Sequence, residues 1–181
     1  MKYIALLRGV NISGKNKIPM SELKLELEKN KYQNVSTYLN SGNVIFESDI
    51  NNKETITKDI HRVIKNKFNL EIPVFVMISF ELEDILNNNP KWWGTNNKEI
   101  YDNLIFIIPP TKYEEVYNTI GNPREDIEKI KEYNNFIFWS YDLKNYRKSN
   151  WWNKTASTNI SDKITIRTAN TIKKVLEICK R

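Results

Sequence analysis

The chain of 181 residues has a formal net charge of +6 and contains one cysteine and one histidine. One cysteine excludes an intramolecular disulfide, and with a single histidine it excludes the common Cys/His zinc sites, so we expect no metal and no cofactor. No stretch approaches the roughly 18 apolar residues that a transmembrane helix needs, and we therefore expect a cytoplasmic protein with no membrane association.

The first half of the chain predicts the order β-α-β-β-α-β. An apolar run at 3–7 is typical of a buried central strand, and Pro19 suits the first turn of the helix that follows. Two further strands flank the turn 40–43, where Gly and Asn accept the positive φ of a hairpin. Apolar residues at helical spacing over 56–68 predict an amphipathic helix, and a strand at 73–77 closes the segment.

The same order is predicted again after a short helix that begins at Ser79. No sequence repeat is detectable, so the repetition is one of architecture. The pattern predicts strands at 104–108, 127–133, 136–141 and 164–167, and helices at 113–120, 143–157 and 170–180.

This order is the split-βαβ or ferredoxin-like pattern. We therefore predict an α+β fold of two ferredoxin-like (βαββαβ) halves, a duplicated architecture with antiparallel sheets, and a C-terminal helix. The boundary near residue 79 gives an N-terminal domain over 1–79 and a C-terminal domain over 80–181.

The connection between the first strand and the first helix is the candidate binding site. It is polar and basic, and no acidic residue precedes Glu22. The first two strands of this topology run parallel, so loop 9–18 and turn 40–43 are expected at the same edge of the sheet. A basic loop that leads into a helix N-terminus favours anions. The predicted ligand-binding residues are Arg8, Asn11, Ser13, Lys15, Lys17, Asn40, Ser41 and Asn43.

The leading hypothesis is therefore a protein that binds a small anionic or phosphorylated ligand. A second hypothesis is a transferase-type enzyme on a phosphorylated substrate, with Arg8 as an electrophilic clamp. The sequence identifies no base for it. His61 flanks the apolar stripe of its helix, and Cys179 lies on an apolar helix face, where it is expected to be part of the core.

Nucleic-acid binding is the third hypothesis. Residues 142–181 carry a net charge of +7, and the doublets Trp92-Trp93 and Trp151-Trp152 can stack on bases. The aromatic signature of RNA-recognition sheets is missing from the central strands. The favoured interpretation is that the tryptophans pack the two halves together. The oligomeric state is not predicted.

The segments ALLRGVNISGKNKIPMSEL and TYLNSGNVIFES closely resemble the opening of the bacterial domain-of-unknown-function family 1697. The resemblance implies a cytoplasmic protein of about this length, with two ferredoxin-like halves and no established biochemical activity. The matching motif residues are Arg8, Gly9, Asn11, Gly14, Lys17, Pro19, Ser41, Gly42 and Asn43.

Two positions depart from the family's pattern. The family's loop often has a second adjacent glycine where this chain has Ser13, and its C-terminal T-x-R-N-W-N-T pattern resembles residues 165–171 without the tryptophan. Within that segment, Arg167 and Asn170 open the last predicted helix. We predict them as a secondary anion site.

Overall fold

The computed structural model describes residues 1–181. The chain forms two compact units, one of residues 1–83 together with 175–181 and one of residues 84–174. The division into an N-terminal domain over 1–79 and a C-terminal domain over 80–181 stays a prediction. None of the helices has the length and apolar character needed to span a bilayer.

The first unit contains one antiparallel sheet with the strand order β2-β3-β1-β4. Its elements are β1 (Lys2–Leu7), α1 (Met20–Lys29), β2 (Gln33–Tyr38), β3 (Asn43–Glu47), α2 (Lys53–Phe68) and β4 (Val74–Ile78), and the helix α3 (Ser79–Asn87) follows. The central strand β1 is buried from Tyr3 to Leu7 because alternate side chains enter different layers. Tyr3, Ala5 and Leu7 share a core with the apolar faces of α1 and α2.

The second unit repeats this plan with the strand order β6-β7-β5-β8. Its elements are β5 (Ile100–Ile107), α4 (Tyr113–Ile120), β6 (Glu128–Tyr133), β7 (Phe136–Asp142), α5 (Asn150–Ser157) and β8 (Ile164–Thr168), and the helix α6 (Ala169–Cys179) follows. The core again lies between the central strand, represented by Ile105 and Ile107, and two helices. The predicted α+β class with two antiparallel four-stranded sheets is confirmed.

The predicted helix over 143–157 is wrong in its first half. The helix α5 begins only at Asn150, because Ser149 caps it by accepting the N–H of Trp152 at 2.9 Å. Asp142 accepts the N–H of Lys144 at 2.7 Å, so the preceding segment turns. A short 3₁₀ turn over Tyr146–Lys148 completes the connection.

A buried carboxylate fixes where α5 begins. Glu128, 2% exposed, accepts the N–H groups of Asn150 at 2.8 Å and Trp151 at 3.3 Å, and also the indole N–H of Trp139 at 3.2 Å. The Ser149 hydroxyl donates to the same carboxylate at 2.5 Å. A negative charge at the first turn of a helix is favourable, so Glu128 ties β6 and β7 to α5.

The turn between β2 and β3 packs against the end of β1 through Gly42. Its carbonyl accepts the N–H of Leu7 at 2.8 Å. A Cβ added at Gly42 would lie 2.6 Å from the Leu7 Cβ and 2.8 Å from the Val10 Cγ2. Only glycine allows this approach, which holds the turn beside the start of loop 9–18.

Replacing Gly42 by Ala is therefore expected to lower the free energy of unfolding by about 3 kcal/mol, from backbone strain together with overpacking. Gly14→Ala is the matched control, since Gly14 has the same φ of +78° but no atom within 4 Å of the added Cβ. The control is expected to lose about 1 kcal/mol, from strain alone. Urea unfolding measures both. Equal losses would contradict the close approach.

Tyr3 and Tyr32 are both buried and both pack against the Phe46 ring, so their hydroxyl groups can be compared. The Tyr3 hydroxyl donates to the Ile50 carbonyl at 2.9 Å, whereas the Tyr32 hydroxyl is buried without a hydrogen-bond partner in the protein. Burial, and then the charge of Asp59, raises the pKa of Tyr32 to about 12.

We expect Tyr32→Phe to raise the free energy of unfolding by about 1 kcal/mol, because it removes an unsatisfied buried hydroxyl. Tyr3→Phe is expected to lower it by about the same amount, because it removes a satisfied one. Chemical denaturation of the two variants checks the opposite signs. A loss of stability in both variants would show that Tyr32 is satisfied in solution.

Candidate functional site

Loop 9–18 connects β1 to α1 and folds back on itself. The Asn11 N–H donates to the Asn16 carbonyl at 3.1 Å, and the Lys15 N–H donates to the Ile12 carbonyl at 2.9 Å. Asn11, Ser13 and Asn16 all have φ near +50°. Asn tolerates this left-handed conformation better than most residues, which accounts for the Asn-rich sequence of the loop.

The side chain of Asn11 joins this loop to the turn between β2 and β3. Its Oδ1 accepts the Ile18 N–H at 2.9 Å, and its Nδ2 donates to the carbonyls of Ile18 at 2.9 Å and Asn40 at 2.8 Å. One amide thus holds both ends of the loop and the neighbouring turn. The prediction that loop 9–18 and the turn lie together is confirmed.

The turn itself, residues 39–42, is held by a second amide. Asn43 is fully buried, and its Nδ2 donates to the Tyr38 carbonyl at 2.8 Å and to the Ser41 Oγ at 3.0 Å. These bonds close the hairpin from inside. Both hydrogens of the Asn43 amide are thereby used within the protein, so its role in this structure is to shape the turn.

We call the surface formed by residues 9–18 and 39–42 the rim. Its sequence contains two lysines and no acidic residue, and Lys15 and Lys17 are exposed. Arg8 is half-buried at its base, where the Arg8 N–H donates to the Pro73 carbonyl at 2.9 Å. Ser13, Asn40 and Ser41 are exposed on the same surface. The structure brings all eight predicted site residues to this edge of the first sheet.

Two apolar residues on the rim were not predicted from the sequence as part of the site. Ile12 is 56% exposed and Leu39 is 55% exposed. Each stands in a polar segment, and each adjoins one of the two asparagines, Asn11 and Asn40, that are hydrogen-bonded to each other. The sequence signal for Ile12 and Leu39 was that each is a large apolar residue in or beside a segment predicted to be a polar connection.

The predicted secondary anion site lies at the junction of β8 and α6. Arg167 is 7% exposed, and its Nη1 donates to the Thr165 Oγ1 at 2.8 Å and to the Ile166 carbonyl at 2.9 Å. Asn170 is exposed and lines a cavity of about 420 Å³ within the second unit. Thr168 already caps α6 by accepting the Thr171 N–H at 3.2 Å.

Another cavity of the second unit, of about 520 Å³, has acidic walls. Two of its carboxylates form ion pairs: Glu99 with Lys144 at 2.8 Å, and Asp126 with Arg124 at 3.2 Å. Glu128 in the same wall is the helix-capping carboxylate described above. Glu99, Asp126 and Glu128 therefore each have partners within the protein.

His61 and Cys179 lie on different helices, α2 and α6, outside the rim. His61 is half-buried on α2, and burial lowers its pKa. Cys179 is 7% exposed, and burial raises the pKa of its thiol to about 11, which leaves it protonated at neutral pH. No three His, Cys, Asp or Glu side chains are grouped in a way that could hold a metal ion.

The tryptophan doublets divide between core and surface. Trp93 is 2% exposed and donates its indole N–H to the Asn103 carbonyl at 2.7 Å, and Trp151 is fully buried. Neither indole can stack on a base in this conformation. Trp152 is 39% exposed, and its ring packs edge-to-face on the Tyr146 ring with 4.8 Å between the ring centroids.

Comparisons with known proteins agree with this architecture. The conserved bacterial protein SP0830 from Streptococcus pneumoniae, whose structure is solved, is similar at 26% sequence identity with a TM-score of 0.86. The match covers 98% of each chain. Among curated proteins, none is significantly similar to this chain.

The sequence profile of the family described as "protein of unknown function (DUF1697)" matches residues 1–138. The matched region includes the rim and the whole first sheet. The match to this profile agrees with the resemblance of the loop and turn motifs to the same family. The chain therefore belongs to the DUF1697 family.

Proposed function

We propose that the protein binds a small anionic or phosphorylated ligand at the rim. The observation that carries this proposal is the Asn11 amide, which joins a basic loop and a polar turn into one surface. Groups on two separate segments bind one ligand at a lower entropic cost when their positions are already fixed relative to each other. The amide provides that fixed arrangement.

The charge of the rim favours an anion. Lys15 and Lys17 are exposed, Arg8 lies at the base, and no acidic residue occurs in either segment. Exposed lysines are screened by solvent, so each contributes modestly on its own. Ser13 and Ser41 supply exposed hydroxyls that can donate to ligand oxygens.

The start of α1 adds to this preference. Its N-cap residue is Pro19, which makes no side-chain cap, so the first N–H groups of the helix have no side-chain acceptor. Unsatisfied N–H groups and the helix dipole attract negative charge. Glu22 in the first turn is partly offset by Lys67, whose Nζ lies 3.5 Å away.

Replacement of both exposed lysines tests the proposal. For Lys15→Gln/Lys17→Gln we expect affinity for pyrophosphate and for nucleoside triphosphates to fall about tenfold, because charge-assisted contacts are lost. Lys31→Gln/Lys58→Gln, on other exposed surfaces of the same unit, makes the same change in net charge and is expected to bind as the wild type does.

Isothermal titration calorimetry at constant ionic strength measures both variants. Backbone chemical shifts in the same titration locate the ligand, and we expect the changes to centre on 9–18 and 39–42. If both double variants lose the same affinity, the loss comes from the change in net charge alone, and this result would contradict a site at the rim. Absence of binding by the wild type would contradict the proposed function itself.

A further inference from the structure

The rim exposes two apolar side chains beside its cations. Ile12 and Lys15 face each other across an isolated antiparallel bridge in the loop, where the Lys15 N–H donates to the Ile12 carbonyl. Leu39 lies in the adjoining turn, one residue from Asn40, which accepts the hydrogen bond from Asn11. Ile12 and Leu39 therefore each adjoin one end of the hydrogen bond that joins the loop to the turn, and both are exposed there.

The conformation of Leu39 makes its exposure more unusual. Its φ is +57°, a left-handed value that Gly or Asn adopts at low cost and that a bulky apolar residue adopts with strain. The Leu39 side chain is 55% exposed, so burial within the protein does not offset that strain. A polar residue would suit an exposed left-handed turn better in a protein with no ligand there.

We propose that the ligand of the rim is an anionic amphiphile, that is, a phosphate ester with an attached hydrocarbon chain. The anionic group contacts Lys15 and Lys17, and the hydrocarbon covers Ile12 and Leu39. This inference rests on the proposed anion-binding function and specifies the class of ligand. Loop 9–18 carries both lysines and Ile12, the adjoining turn carries Leu39, and an amphiphile matches the charge and the apolar side chains together.

Such a ligand gains affinity from its chain only if the chain leaves water. Burying hydrocarbon against two half-exposed aliphatic side chains contributes in proportion to the area covered. Because the side chains lie on an open surface, the gain is a fraction of that for full burial. We expect hexyl phosphate to bind about tenfold more tightly than methyl phosphate, which has the same anionic group.

The experiment compares three proteins with both esters by calorimetry. Ile12→Ser/Leu39→Ser is expected to reduce the tenfold ratio of hexyl phosphate affinity to methyl phosphate affinity to about one, with both affinities measured on each protein. Phe80→Ser is the control, since Phe80 is 72% exposed and follows β4 at the sheet edge opposite the rim. The control is expected to keep the preference.

The outcomes separate this inference from the proposed function. If methyl phosphate binds and hexyl phosphate binds no more tightly, the amphiphile is excluded while the anion site stands. An equal preference in the wild type and in Ile12→Ser/Leu39→Ser also overturns the inference, since the chain then binds elsewhere. If neither ester binds to the wild type, the proposed function fails and this inference fails with it.

A phosphate ester with a hydrocarbon chain can be a soluble metabolite or a lipid headgroup in a bilayer. Sedimentation with phosphatidylglycerol vesicles, with phosphatidylcholine vesicles as the reference, distinguishes these sources. Binding of the anionic vesicles that depends on Ile12 and Leu39 supports a lipid as the source. Tight binding of hexyl phosphate without vesicle binding supports a soluble ester.

Discussion

The side chain of Asn11 is the contact on which the geometry of the rim depends. It satisfies the N–H and carbonyl of Ile18 and the carbonyl of Asn40, which are 7 and 29 residues away in sequence. The two bonds to Ile18 are partly buried, so their loss would leave polar groups unsatisfied, whereas the bond to Asn40 is exposed to solvent. Together with the close approach of Gly42 to Leu7 and Val10, these bonds hold the loop beside the turn.

The strand order brings the loop and the turn to the same end of the sheet, and the glycine in the turn lets them approach closely. Strand β1 ends at Leu7, directly beside Gly42, so the loop that leaves β1 begins against the β2–β3 turn. A side chain larger than hydrogen at Gly42 would separate them. The second unit has the same order of strands, but it uses the buried carboxylate of Glu128 to fix the start of α5. Similar topologies are thus held by different polar contacts.

Sequence periodicity predicted most of the fold, because central strands and amphipathic helices bury apolar residues at regular spacing. The meeting of loop and turn also followed from the sequence, since strand direction alone determines which loops share an edge. Helix α5 was predicted too long, because its start depends on Ser149 and on Glu128 from a distant strand. The internal role of Asn43 and the exposure of Ile12 and Leu39 depend on packing around each side chain, which composition does not encode.

Amide hydrogen exchange at Ile18 tests the central claim most directly, because the Ile18 N–H donates to the Asn11 Oδ1 that also belongs to the loop–turn contact. In a rigid rim this amide opens rarely, and NMR is expected to show it exchanging at least about a hundredfold more slowly than an unstructured peptide. Asn11→Ala is expected to abolish that protection while the amides of β1 keep theirs. Exchange of the wild-type Ile18 amide at the rate of an unstructured peptide would show that the Asn11 side chain does not hold the loop closed, and the rim would not be a preformed site.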